Sequence, residues 1–70
     1  MANVNAAIAG IMSKILVKPG DTIMEGQEVA IIESMKMQIP ITSEVSGTVS
    51  NIKLAEGDFV NEGDVIMILE

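Results

Sequence analysis

Glu28-Val29-Ala30-Ile31-Ile32-Glu33-Ser34-Met35-Lys36-Met37-Gln38-Ile39-Pro40-Ile41-Thr42 is a run of fifteen residues without a glycine, asparagine or aspartate. Val29 to Ile32 is apolar on both alternations, the pattern of a strand covered on both faces. From Ser34 to Thr42 the pattern alternates. Met35, Met37, Ile39 and Ile41 fall on one side, and Ser34, Lys36, Gln38, Pro40 and Thr42 on the other. On alternation alone, Lys36 is a solubilising lysine on a half-buried strand. One continuous strand, however, would far exceed the usual length of about 3–10 residues, so the chain must turn inside the run.

An internal repeat locates that turn. Sliding the sequence along itself by 37 positions superposes residues 1–33 on residues 38–70 without a gap. Gly10 then falls on Gly47, Gly20-Asp21 on Gly57-Asp58, Glu25-Gly26 on Glu62-Gly63, and Glu33 on Glu70. Unlike pairs keep their apolar character: Val4 with Ile41, Met12 with Val49, Ile23 with Val60, Ile32 with Leu69. Only Ser34-Met35-Lys36-Met37 has no counterpart, so the joint between the halves lies there. Halves this short cannot each bury an apolar face, which implies a pseudo-twofold pairing within one domain spanning residues 1–70.

The remaining apolar segments are short, rich in Val and Ile, and separated by glycine turns, as in an all-β domain. Strands are expected at roughly 3–8, 11–18, 22–24, 28–33, 37–42, 48–55, 59–61 and 65–69, four per half. The segments 28–33 and 65–69 are apolar throughout and belong in the middle of the packing. Two four-stranded antiparallel sheets, packed as a sandwich or flattened barrel, would bury them. Phe59, opposite Thr22 in the repeat, is expected in the core or as a half-buried turn anchor.

Composition limits function. The net charge is −6, from ten acidic residues against four lysines and no arginine, which argues against nucleic acid or an anionic membrane as partner. No apolar run reaches the length of a membrane span, and no secretory signal is evident. Without cysteine there are no disulfides, and without histidine or cysteine a zinc site is not expected. A cytoplasmic location is consistent with this. Asp21, Asp58, Glu25 and Glu62 are read as turn residues, not as a cation site. With His, Cys, Arg, Tyr and Trp all absent, the usual bases and nucleophile pairs are missing, and independent catalysis is not expected.

The turn at 34–37 breaks a local rule. Tight hairpins favour residues that accept positive φ, and this is the one inferred turn without Gly, Asn, Asp or Pro. Such violations concentrate at functional sites. Two methionines flanking a cation on a hairpin tip would form a flexible, adaptable recognition surface.

Glu33-Ser34-Met35-Lys36-Met37 resembles the attachment motif of the biotinyl/lipoyl domain family, in which a lysine between two methionines carries biotin. The resemblance covers the whole chain, with Gly-Asp and Glu-Gly turns before the lysine recurring after it. It is similar to a biotin carboxyl carrier domain or a stand-alone biotin/lipoyl attachment protein. Two departures stand out. Ser34 replaces the commoner alanine, and Ala6-Ala7-Ile8-Ala9-Gly10 replaces a Pro-rich approach to the first glycine. The gapless repeat also leaves no room for the thumb-like loop of some bacterial carriers.

The resemblance implies covalent attachment of biotin to Lys36, with Met35 and Met37 read by a biotin protein ligase and Glu33 and Ser34 as motif flanks. Biotin carboxylase and carboxyltransferase follow as further partners, with the isolated domain monomeric. Lipoate is the second cofactor reading, although related lipoyl domains usually carry Asp-Lys-Ala at the tip. An unmodified β-sandwich interaction module is the third reading. The Met1 start and absence of a linker permit a free-standing carrier as well as a piece of a larger carboxylase.

Overall fold

A computed structural model describes residues 2–70, which form eight strands and, among those residues, no helix. The strands are β1 (Ala2–Asn5), β2 (Gly10–Ile15), β3 (Thr22–Ile23), β4 (Glu28–Ser34), β5 (Met37–Thr42), β6 (Gly47–Ile52), β7 (Phe59–Val60) and β8 (Val65–Leu69). They form two four-stranded antiparallel sheets, ordered β1-β8-β6-β3 and β5-β4-β2-β7. Adding four to each strand number in the first order, modulo eight, gives the second. Each sheet therefore takes two strands from each half of the repeat, and neither half completes a sheet alone.

The core repeats the same symmetry. Its thirteen buried apolar residues and the buried Ser43 form seven pairs 37 positions apart: Val4/Ile41, Ala6/Ser43, Met12/Val49, Ile23/Val60, Val29/Ile66, Ala30/Met67 and Ile32/Leu69. The doubly apolar β4 and β8 are interior strands of their sheets, as expected. Ser43 is the one polar member, and its hydroxyl donates to the Val45 carbonyl at 2.5 Å. Satisfying a buried hydroxyl in this way removes most of its desolvation cost.

The turns are equally paired. Asp21 Oδ2 accepts from Lys18 N at 3.0 Å, and Asp58 Oδ2 accepts from Ala55 N at 2.8 Å. Gly20 and Gly57, each preceding its aspartate, share φ of +95°, a conformation that a Cβ disfavours. The amides of these glycines donate across to Val49 O and Met12 O, tying each turn to a strand of the other half of the repeat.

Several strand boundaries differ from expectation. β1 stops at Asn5, not residue 8. Ala6 leaves β8, donating to Asp64 O and accepting from Gly63 N, both at 2.8 Å. β2 and β6 end at Ile15 and Ile52, short of residues 18 and 55, because Lys18 and Ala55 are already capped within the aspartate turns. β3 and β7 lose their last residues, since Met24 N and Asn61 N donate to the side chains of Gln27 and Asp64. The expectation for Phe59 fails: it is 67% exposed, because Val60 takes the inward position of β7. Met1, the first residue of the repeat alignment, lies outside the described residues.

Candidate functional site

β4 and β5 are joined by two residues alone. Ser34 pairs with Met37, leaving Met35 and Lys36 as the central positions of the hairpin turn. Their φ values are +52° and +65°, and they are the only non-glycine residues with positive φ among those described. Positive φ at both central residues is the signature of a type I′ turn, whose twist matches the flanking strands. For residues with a Cβ that conformation costs roughly 1–2 kcal/mol each. The hairpin is held despite this by the pairs Glu33–Gln38 and Ile32–Ile39 below it, with Ile32 in the buried core and Ile39 half-buried.

The turn overturns simple alternation. Met35 and Lys36 are withdrawn from the strand pattern, and Met35 is 89% exposed. Met37 is 58% exposed although it opens β5, and only from Ile39 inward does the apolar side become covered. Lys36 is exposed as well, and the single ion pair among the described residues joins Lys18 to Asp21 instead. The tip thus presents an ammonium between two methionine side chains, with no carboxylate paired to it.

Glu33 and Ser34, the other residues singled out from sequence, lie at the base of the tip. Glu33 is exposed, and its Oε1 accepts from Gln38 Nε2 at 3.3 Å across the β4–β5 pair. Ser34 is half-buried. The acidic turn residues do not gather: no group of three or more metal-ligating side chains occurs among the described residues. Asp21 and Asp58 instead cap their own turns.

Sequence reading missed a supporting residue. Gly10, at the start of β2, lies so close to β4 that a Cβ would collide with the Glu33 carbonyl oxygen. Its repeat partner Gly47 lies against Leu69 and Glu70 in the same way, with more room. Coincidence of a glycine with its own repeat image, in strands rather than turns, is the signal that identifies both as sites of close backbone approach.

The chain path sets the tip and Glu70 at opposite ends of the molecule. β2 starts beside Glu33 and leads away from it, and by Gly20 and Thr22 the chain has reached Val49 and Thr48, beside Glu70. The longest dimension of the molecule is 31 Å.

Comparison with known proteins gives consistent results. A family model described as "Biotin-requiring enzyme" matches residues 2–69. The chain is 58% identical over 43 residues to the biotin/lipoyl attachment protein of Bacillus subtilis (strain 168), covering 61% of this chain and 59% of that protein. It is 58% identical over 33 residues to the methylmalonyl-CoA carboxyltransferase 1.3S subunit of Propionibacterium freudenreichii subsp. shermanii, covering 47% of this chain and 27% of the subunit. The structure superposes on the urea carboxylase of Kluyveromyces lactis with a TM-score of 0.91 at 29% identity, covering 99% of this chain and 6% of that one. In each case the match spans less than two thirds of the relative's own length.

Proposed function

This chain belongs to the biotin/lipoyl attachment family, and on that premise we propose that it is a biotin carboxyl carrier, modified by a biotin protein ligase at Lys36. The observation that carries the reading is the Met35-Lys36 turn, where two residues with positive φ hold an exposed lysine between exposed methionines. Names among the relatives add support, since one is a carboxyltransferase subunit and the superposed structure is a carboxylase.

Lys36 fits an attached acyl group. Its amine is in no ion pair among the described residues, and the two-residue turn leaves no neighbouring segment folded over it. Nζ attacks the carboxyl carbon of biotin activated as its adenylate; the amide C–N bond forms, the C–O bond to phosphate breaks, and AMP departs. An ammonium has no free pair, so its proton must be lost first, to a base of the ligase, because this chain has no histidine and no carboxylate paired to Lys36. Held by Lys36, biotin would supply the carboxyl-transfer chemistry, with a biotin carboxylase and a carboxyltransferase as the partners. The chain itself orients and tethers, raising the local concentration of the arm at both sites. It acts as a monomeric carrier in the cytoplasm and not as a catalyst.

Lipoate is the second reading, since the name of the Bacillus relative gives both groups. Intact mass after co-expression with a biotin ligase, and separately with a lipoate ligase, distinguishes the two. The expected result is a gain of one biotinyl group with the first enzyme. A folded sample that gains nothing from either would leave only an unmodified interaction module.

A further inference from the structure

Outside residues 34–37, the internal repeat gives a surface position a control within the same molecule. Across the outer face of the sheet that carries the tip, Phe59, Ile11, Glu33 and Gln38 lie in one cross-strand row, by the registers Ile11–Phe59, Ile11–Glu33 and Glu33–Gln38. Cross-strand partners share a face. All four side chains are exposed, including the large apolar pair, Phe59 at 67% and Ile11 at 42%. The row runs one residue pair below the turn that presents Lys36.

The twofold-related row on the other sheet is Thr22, Thr48 and Glu70, with Thr22 paired to Thr48 and Thr48 exchanging both backbone hydrogen bonds with Glu70 at 2.8 Å. The glutamate is kept and the apolar pair is not. Threonines fill the same two positions of the same fold, so packing does not require Phe59 and Ile11 to be apolar. Phe59 and Ile11 are neighbours on one exposed face, and adjoining apolar side chains, unlike a single exposed one, are the kind of patch that marks an interaction surface. The difference falls at the Lys36 end of the molecule.

We propose that Phe59 and Ile11 form a docking anchor for the ligase that modifies Lys36, an inference that rests on the function assigned above. Reach selects this partner over the carboxylase components. Bond formation needs Nζ within about 3–3.5 Å of the activated carboxyl carbon. An unmodified lysine gives little length, so the ligase must approach the strands beneath the turn. Partners that act after modification address the end of a much longer arm and can stand further off. The ligase surface should offer an apolar pocket for the Phe59 ring, rimmed by cations that complement Glu33 and Asp58. Few residues dominate such interfaces, and aromatic side chains are prominent among them.

The test is to copy the control face onto the tip face. A Phe59→Thr, Ile11→Thr double variant takes the residues found at the equivalent positions, so it retains the fold; circular dichroism and a melting curve verify this. Biotinylation is followed by intact mass under varied carrier concentration. The expected result is a loss of about tenfold or more in kcat/KM, carried by KM, with kcat nearly unchanged at saturating carrier. The reciprocal variant Thr22→Phe, Thr48→Ile, at the far end, should be modified like the parent. A folded F59T/I11T variant with kcat/KM within twofold of the parent overturns the anchor while leaving the carrier function standing. A parent chain that the ligase does not modify at all overturns both.

Discussion

Gly10 lies directly against Glu33, so that a Cβ on Gly10 would run into the Glu33 carbonyl oxygen and press on the Ile32 side chain. This contact packs the start of β2 under the last strand residues before the Lys36 turn. Gly47 makes the symmetric contact, but there an added Cβ would sit 3.0 Å from Leu69 Cβ and 3.1 Å from Glu70 O, a less severe approach. Gly10→Ala is therefore expected to destabilise the domain by about 1–3 kcal/mol, the range for overpacking. That outweighs the gain of about 0.4–1 kcal/mol that Gly→Ala gives through the unfolded chain. Urea melts of both variants check this: G10A should lose clearly more than G47A, and equal losses would mean the tip-side contact is not the tighter one.

Met35 occupies a left-handed conformation that its side chain disfavours. Asparagine tolerates that region far better. Met35→Asn should raise stability by up to about 1 kcal/mol, a shift of about 4–8 °C in Tm for a domain this small. Biotinylation should fall in the same variant, because the side chain offered to the ligase is lost. Strain retained where a stabilising residue is available is the pattern expected of a functional site. A variant with unchanged Tm would show that the turn carries no such strain.

Much of this architecture could be read from the chain. The 37-residue repeat located the strands, the paired glycine turns and the joint at 34–37, because symmetry-related positions face the same packing. The seven core pairs follow from the same register. What the repeat could not convey is which strands meet. That β1 and β3 join β8 and β6, and not their own half, depends on contacts distant in sequence. Periodicity also misplaced Phe59, since apolarity signals burial but not which of two adjacent residues in a two-residue strand takes the inward position. At the tip, alternation alone pointed to a strand; strand length required a turn inside the run, and the repeat placed it at 34–37.

Lys36→Arg should abolish attachment while leaving the fold intact, since an exposed turn residue is replaced by one of the same charge. The other lysines are not expected to substitute. Lys14 lies within β2, Lys18 is paired with Asp21 at 3.4 Å beside a capped turn, and Lys53 follows β6 with its amide bonded to Ile66 O. None of them sits at a two-residue turn. Peptide mapping of the variant after co-expression with the ligase is the check, and a biotinylated peptide containing any of these three would reassign the site.

Met35 and Met37 are exposed enough for their effect on recognition to be separated from their effect on folding, at 89% and 58%. Replacing them with Asp and Ala, the flanks usual in lipoyl domains, should leave the fold intact, with a gain of up to about 1 kcal/mol where aspartate relieves the left-handed backbone of position 35. The turn should therefore persist. The double variant is then expected to be a poorer biotin ligase substrate and a better lipoate ligase substrate, measured as the ratio of kcat/KM values for the two enzymes against the parent chain. Each single variant should move the ratio in the same direction, since each methionine flanks Lys36 on its own side. A ratio unchanged in the folded double variant would transfer cofactor choice from the tip to the strand surface beneath it, where Phe59 and Ile11 lie.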